Sequence, residues 1–125
     1  MKKYLFIIVL LSACSGDTEN VVLSPLDFKA KFENTSDAIL LDVRTPDEIA
    51  IDRLENSLSI VFDNSFASKL EGLEHKPLFV YCASGKRSAK AAAILREKGY
   101  KEVYELKGGL GAWKDAGLAV ENSPL

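Results

Sequence analysis

The sequence predicts an α/β domain in which a mostly parallel sheet of about five strands carries helices on both faces. Short apolar runs alternate with segments that begin at helix caps, and strands separated by helices imply a parallel sheet covered on both sides. The chain has 125 residues, 47% of them hydrophobic, which supports one compact domain rather than two.

The first half of the domain alternates apolar runs with capped helices. Ser24 caps a helix that has Pro25 at its first position and Asp27 three residues after the cap. A capping box formed by Thr45 and Glu48 begins a second, short helix. The apolar runs around these helices predict strands at residues 21–23, 38–41 and 57–62.

The second half continues the same alternation. Residues 64–72 suggest a helix with Phe66 and Leu70 on one face. Residues 78–81 read as a strand, and residues 86–98 as a helix closed by Gly99. The last strand is expected at residues 102–104, followed by a glycine turn and a short helix around Trp113, which we expect to pack in the core.

Cys82 is the first candidate for chemistry, because it lies on a tight turn between a predicted strand and a predicted helix. Backbone N–H groups and the positive end of the helix favour the thiolate, which is the nucleophilic form of sulfur. Ligand sites in parallel sheets lie beyond the carboxyl ends of strands, and Asp42 and Arg44 follow another such end.

Composition excludes several function classes. The formal net charge is -2, without the basic excess that nucleic-acid binding needs. Two cysteines are too few for a disulfide scaffold. His75 is the only histidine and no Cys-x-x-Cys occurs, so we expect no metal site and no cofactor, and His75 is interpreted as a solvated loop residue.

The N-terminus is interpreted as a targeting signal. Residues 1–3 are basic, residues 4–11 are apolar, and small residues precede Cys14. The segment around Cys14 resembles the lipobox of bacterial lipoproteins, which implies that its thiol receives a diacylglycerol anchor; the alternative is an ordinary signal peptide with an incidental cysteine. The expected division is a signal peptide at 1–13, a polar tether at 14–20 and the domain at 21–125.

This division implies an exported protein held at a membrane through Cys14. By analogy with the sorting rule of Gram-negative lipoproteins, Ser15 after the cysteine favours the periplasmic face of the outer membrane in such a host. Cys82 would then be the only free thiol of the mature protein, in a compartment that tends to oxidise thiols.

The chain resembles the rhodanese-like family in four blocks whose order and spacing fit one complete domain. These blocks are residues 41–48, residues 80–88, Gly99-Tyr100 with Val103-Tyr104, and Lys107-Gly108-Gly109 followed by Trp113. The resemblance implies a three-layer fold and a sulfurtransferase. In that reaction the Cys82 thiolate attacks the outer sulfur of a donor such as thiosulfate, releases sulfite and holds a persulfide. A thiol, cyanide or a protein acceptor then takes the sulfur.

The loop after Cys82 is expected to bind the donor anion through its backbone and its side chains. The substrate-binding set consists of Ala83, Ser84, Gly85, Lys86 and Arg87, together with Arg44. Gly85 allows the loop to curl, because a positive φ costs glycine little. Lys86 is the best donor-binding side chain, and its alternative is a solvated charge near the helix start.

The remaining charged groups leave alternatives open. Arg87 either binds the anion or braces the loop by pairing with Asp42, and we favour bracing because a forked donor suits a carboxylate. Arg44 either lines the pocket or makes a surface ion pair with Asp47 or Glu48. Ser88 is expected to support the loop by a hydrogen bond.

One stretch departs from the family pattern. The family usually has Gly-His-Ile-x-Gly-Ala where this chain has residues 52–57. Leu54 keeps the apolar position, Arg53 replaces the histidine, and Asn56 can adopt the left-handed turn that glycine would.

Two rival functions stay open. Cysteine-dependent phosphatases and arsenate reductases resemble Cys-x5-Arg, whereas only four residues separate Cys82 from Arg87. That shorter loop should make a smaller cradle, suited to sulfur more than to phosphate. The second rival is a non-catalytic sulfur-carrier or interaction module.

Overall fold

The structure is a computed structural model that describes residues 21–125. The predicted signal peptide, Cys14 and the tether through residue 20 lie outside the described residues. Within the described part, none of the helices has the length and apolar character needed to cross a membrane.

The sheet has five strands, and every pair of neighbours is parallel. Its spatial order is β1-β5-β4-β2-β3, so the central strand β4 has neighbours on both sides. This confirms the predicted fold class. The strands are β1 Val22–Leu23, β2 Ile39–Asp42, β3 Leu58–Ser59, β4 Leu78–Tyr81 and β5 Val103–Leu106.

Three α-helices connect strands of the sheet and a fourth follows β5, and the first two begin at the caps that the sequence predicts. The Asp27 N–H donates to Oγ of Ser24, and Thr45 and Glu48 form the reciprocal capping box. The helices are α1 Pro25–Glu33, α2 Pro46–Ile51, α3 Lys86–Glu97 and α4 Gly109–Asp115.

Residues between β2 and β4 depart from the predicted elements. β3 covers only two of the six predicted strand residues, because its partner β2 ends at Asp42, which is paired with Ser59. The predicted helix at 64–72 is a 3₁₀ turn at Ala67–Leu70. Local bonds from the N–H of Ser65 to Asp63 and from the Ser68 hydroxyl to the Ser65 carbonyl compete with α-helical pairing there. Phe66 and Leu70 are nevertheless both buried, as predicted.

Two hydrophobic cores lie on opposite faces of the sheet, as alternation along the strands requires. Leu41, Val80 and Val103 pack on one face against Ala91 and Leu95 of α3, among other residues. The other face carries Leu40, Phe79, Tyr81, Phe28 of α1 and Trp113 of α4. Helices therefore cover both faces and give the expected three layers.

The carboxyl ends of β2 and β4 meet at one edge of the sheet. Asp42 is paired in register with Tyr81, so the residues that follow each strand are neighbours. Every residue of β4 is buried. This central strand therefore delivers Cys82 from the interior of the sheet.

Candidate active site

Cys82 follows β4 directly, and its sulfur lies inside the turn that leads into α3. The Gly85 N–H donates to Sγ at 3.0 Å and the Ser88 N–H at 3.4 Å. Oγ of Ser88 lies 3.4 Å from the same sulfur and 3.2 Å from the Gly85 carbonyl oxygen, and its hydroxyl can rotate to donate to either. Cys82 is 0% exposed. The arrangement surrounds the sulfur with donors and keeps bulk water away from it.

Gly85 gives the loop its curl. It is the N-cap of α3 and has φ of 98°, in the left-handed region that favours glycine. This conformation turns its N–H toward the sulfur instead of continuing β4. The predicted role of Gly85 in curling the loop is thus visible in the backbone.

The surroundings of Cys82 favour its anionic form. Burial by itself raises the pKa of the thiol, but hydrogen bonds from Ser88 and from the backbone of Ser84 and Gly85 outweigh burial. The net result is a pKa below that of an ordinary cysteine. Ser88 therefore lies where the sequence placed it, as a buried support of the loop.

Helix α4 holds the loop from behind, a contact that the sequence reasoning missed. The Leu110 N–H donates to the Cys82 carbonyl at 2.8 Å, and the Gly111 N–H to the Ala83 carbonyl at 3.1 Å. Gly109 has φ of 63°, and a Cβ there would lie 2.5 Å from the Ala83 carbonyl carbon. The Gly108-Gly109 pair was the available signal, because adjacent glycines indicate close backbone approach.

Arg87 does not pair with Asp42, which corrects the favoured bracing arrangement. Its two terminal nitrogens donate to the two carboxylate oxygens of Glu48 at 2.6 Å and 2.9 Å. Arg87 still braces the loop, but against the first turn of α2. The Asp42 carboxylate does not reach Arg87, because it is paired with a different arginine.

Arg44 is that arginine, and it is buried rather than on the surface. Its Nε and Nη2 donate to the Asp42 carboxylate, with Nη2 at 2.9 Å, and Nη1 donates to Asp52 at 3.3 Å. Burial lowers the pKa of Arg44, but its bonds with Asp42 and Asp52 prevail and raise it. The alternative for Arg44, a surface pair with Asp47 or Glu48, is therefore wrong. Asp42 supports the site by anchoring Arg44.

The other loop residues lie at the surface edge of the site. Lys86 and Ser84 are exposed, and Ala83 is half-buried. Lys86 is the first residue of α3. Its ammonium makes no ion pair with any residue from 21 to 125 and can move toward an incoming anion.

Residues 52–57, which depart from the family pattern, are hydrogen-bonded to the C-terminal tail. The Arg53 N–H donates to the Glu121 carbonyl at 2.9 Å, and the Glu121 N–H donates back at 2.7 Å. Asn56 has φ of 61°, the left-handed conformation expected of it. Asp52, at the position of the family's glycine, accepts from both Arg44 and Lys114.

His75 lies at the opposite end of the sheet. It is exposed, and its ring stacks on Tyr100 with centroids 4.2 Å apart. The part of the chain that the structure describes contains no cluster of His, Cys, Asp or Glu side chains suited to a metal ion.

Comparison with known proteins agrees with this geometry. The family model described as "Rhodanese-like domain" matches residues 24–116. A protein of Allochromatium vinosum named "Sulfurtransferase" is 34% identical over 90 residues, which cover 72% of this chain and 84% of that protein. A "tRNA uridine(34) hydroxylase" of Cytophaga hutchinsonii is 37% identical over 93 residues, which cover 70% of this chain but only 30% of the hydroxylase.

Solved structures give the same result. The rhodanese-like domain of an Anabaena protein has a TM-score of 0.70 and 26% identity, covering 82% of this chain and 80% of that one. A Rhodopseudomonas palustris protein described as a possible tyrosine phosphatase has a TM-score of 0.66 and 33% identity, covering 80% and 83%. With the matched family model spanning four of the five strands, the cysteine loop and α4, the chain belongs to the rhodanese-like domain family.

Proposed function

We propose that the protein is a sulfurtransferase that carries a sulfane sulfur on Cys82. The observation that supports this most directly is the ring of donors from Gly85 and Ser88 around a sulfur with a lowered pKa. Such a ring stabilises a thiolate, and it can equally stabilise an anionic persulfide one atom longer.

The donor step is a displacement at sulfur. The Cys82 thiolate attacks the outer sulfur of thiosulfate, a new S–S bond forms, and the old S–S bond breaks with its electron pair leaving on sulfite. Charge balances, because one thiolate and one dianion give one persulfide anion and one dianion. Exposed Lys86 can attract the dianion to the rim of the loop.

The acceptor step reverses the roles. A thiolate or cyanide attacks the outer sulfur of the persulfide, and the electron pair of the broken S–S bond returns to Cys82. The protein ends as the thiolate with which it began, so no cofactor or external oxidant is needed. Helix α4 and the Arg87–Glu48 pair hold the loop in both steps.

Phosphatase or arsenate reductase chemistry is the weaker alternative. Those enzymes use the arginine of the loop to fork onto a tetrahedral oxyanion. Here both terminal nitrogens of Arg87 are taken by Glu48. Four residues, rather than five, separate Cys82 from this arginine.

The deciding experiment treats the purified mature protein with thiosulfate and measures its mass and its production of thiocyanate from cyanide. We expect one added sulfur atom at Cys82, catalytic turnover, and no hydrolysis of a phenyl phosphate. The Cys82→Ser variant should stay folded and lose all transfer, since one buried soft atom is exchanged for oxygen. Transfer that survives this substitution, or phosphatase turnover without any sulfur transfer, would refute the proposal.

A single loading without turnover would identify a sulfur carrier instead. In that outcome the persulfide forms on Cys82, but small acceptors do not discharge it repeatedly. Steady-state rates with cyanide and with small thiols distinguish this carrier from an enzyme.

We further propose that Cys14 is lipidated and holds the domain at a membrane, at the periplasmic face of the outer membrane in a Gram-negative host. The support is the sequence pattern of residues 1–14. The mass of the native protein should show loss of residues 1–13 and acyl chains on Cys14, and Cys14→Ser should release the protein from the membrane fraction. A native mass without acyl chains would refute this anchor.

A further inference from the structure

A groove of about 340 Å³ lies beside the cysteine loop, between the start of α3 and the turn that follows β5. Ser84, Gly85 and Gly108 line it near the loop. Val22, Ala89 and Leu106 supply its apolar lining. Lys86 and Lys107 line it as well.

The charge of the groove is positive. Both lysines are exposed, and within residues 21–125 neither ammonium pairs with a carboxylate. Glu105 also lines the groove, but its carboxylate accepts from Arg96 at 3.0 Å. An apolar lining together with two cations that make no ion pair is complementary to a chain segment that alternates carboxylates with an aliphatic side chain.

We propose that this groove docks an acidic segment of the protein that receives the sulfur from Cys82. The inference rests on the proposed function, because it concerns the acceptor of the same persulfide. Two glutamates of the segment would meet Lys86 and Lys107, and an aliphatic residue between them would cover Leu106. Lys107 is then an acceptor-binding residue outside the loop itself.

The groove lies within reach of the reacting sulfur. Gly85 belongs to both places, because it lines the groove and its N–H donates to Sγ of Cys82 at 3.0 Å. Three extended residues span about 10 Å, enough for a cysteine beside the acidic segment to pass over the loop. Its thiolate attacks the outer sulfur, the new S–S bond forms on the acceptor, and the electron pair of the old bond stays on Cys82.

The test uses a hexapeptide, Glu-Leu-Glu-Gly-Gly-Cys, and the same peptide with glutamine in place of both glutamates. A serine version of each peptide measures binding to the unloaded protein, and the cysteine versions measure the rate of sulfur uptake from the loaded protein. Lys107→Glu is compared with Lys101→Glu, which makes the same charge change at an exposed residue just before β5.

We expect the acidic peptide to bind and react about tenfold better than the glutamine peptide at low salt. Lys107→Glu should abolish that preference, whereas Lys101→Glu should retain it, and high salt should weaken it. The rate of loading by thiosulfate should be unchanged in Lys101→Glu.

Equal binding of the two peptides, or equal losses in the two lysine variants, would overturn the docking proposal. Failure of thiosulfate to load wild-type Cys82 would instead count against the proposed function. In that event the serine peptides still test whether the groove binds an acidic segment, because their binding needs no persulfide.

Discussion

Arg87 of the cysteine loop and Glu48 of α2 form a bidentate ion pair, with N–O distances of 2.6 Å and 2.9 Å. The same Glu48 completes the capping box with Thr45. One carboxylate therefore joins the start of α2 to the start of α3. The pair fixes Arg87 outside the sulfur cradle, and this separates the site from loops whose arginine binds an oxyanion.

Glu48→Gln should reduce stability in a pH-dependent way. The hydrogen bond from Arg87 is the main cause that lowers the pKa of Glu48 from 4.5 to about 2. A depressed carboxyl pKa stabilises the fold above the ordinary value, and that stabilisation is lost as pH falls toward about 2. Because the pair is about one-third exposed, we expect a loss of about 1 kcal/mol or less at neutral pH.

Denaturant unfolding of wild type and Glu48→Gln between pH 2 and 7 checks this. The difference in unfolding free energy should shrink below pH 4.5. Glu71→Gln is the control, because Glu71 is exposed and makes no ion pair with another described residue. A difference that stays constant across this range would contradict the role of the pair.

Ser88→Ala should raise the pKa of the Cys82 thiol. The hydroxyl of Ser88 is the largest of the contributions that lower this pKa. The pH profile of alkylation by iodoacetamide measures the thiolate directly, and its midpoint should move upward toward that of free cysteine, about 8.5. Ser68→Ala removes a hydroxyl from an exposed residue far from the sulfur in sequence and should leave the midpoint in place. An unchanged midpoint in Ser88→Ala would show that the backbone donors suffice.

Gly109→Ala should disturb the cysteine loop by more than the backbone strain of an alanine with positive φ explains. A Cβ at Gly109 meets the Ala83 and Cys82 carbonyls at 2.5–2.6 Å, whereas a Cβ at Gly117 meets nothing within 4 Å. Both glycines have positive φ, so Gly117→Ala reports the strain alone, about 1–2 kcal/mol.

Thermal unfolding and the rate of loading by thiosulfate measure the two effects. Gly109→Ala should lower both, because the carbonyls that α4 holds must shift. Gly117→Ala should lower stability only. Equal behaviour of the two variants would mean that the close approach of α4 does not shape the sulfur site.

Asn56 offers a test of the stretch that departs from the family. It adopts φ of 61° in place of a glycine. Asn56→Gly should be neutral or slightly stabilising, whereas Asn56→Ala should cost about 1 kcal/mol, since alanine tolerates this region poorly. Denaturant unfolding of the two variants checks the order, and an alanine variant as stable as the glycine variant would contradict it.

Local chemistry made most of the fold predictable. Ser24 and the Thr45–Glu48 box fixed two helix starts, and the fully apolar run of β4 indicated a strand buried on both faces. The strand expected at 57–62 was overestimated, because its length depends on where β2 ends. That is a property of the partner strand rather than of the segment.

The cysteine and its cradle were predictable, but the ion pairs were not. Two arginines, Arg44 and Arg87, lie near three carboxylates at one edge of the sheet: Asp42, Glu48 and Asp52. The sequence alone does not determine which arginine pairs with which carboxylate. The choice follows from geometry: Arg44 follows Asp42 by two residues and folds back on it, which leaves Glu48 to Arg87.

The bonds from α4 to the cysteine loop also bear on how the protein matures. The carbonyls of Cys82 and Ala83 receive their donors from Leu110 and Gly111 in α4, the last helix of the domain. A nascent polypeptide that stops before Gly109 lacks those donors and the glycine that admits them. The reactive centre is therefore assembled only once synthesis of the domain is almost finished. A C-terminally truncated product would carry Cys82 without the hydrogen bonds that hold its loop.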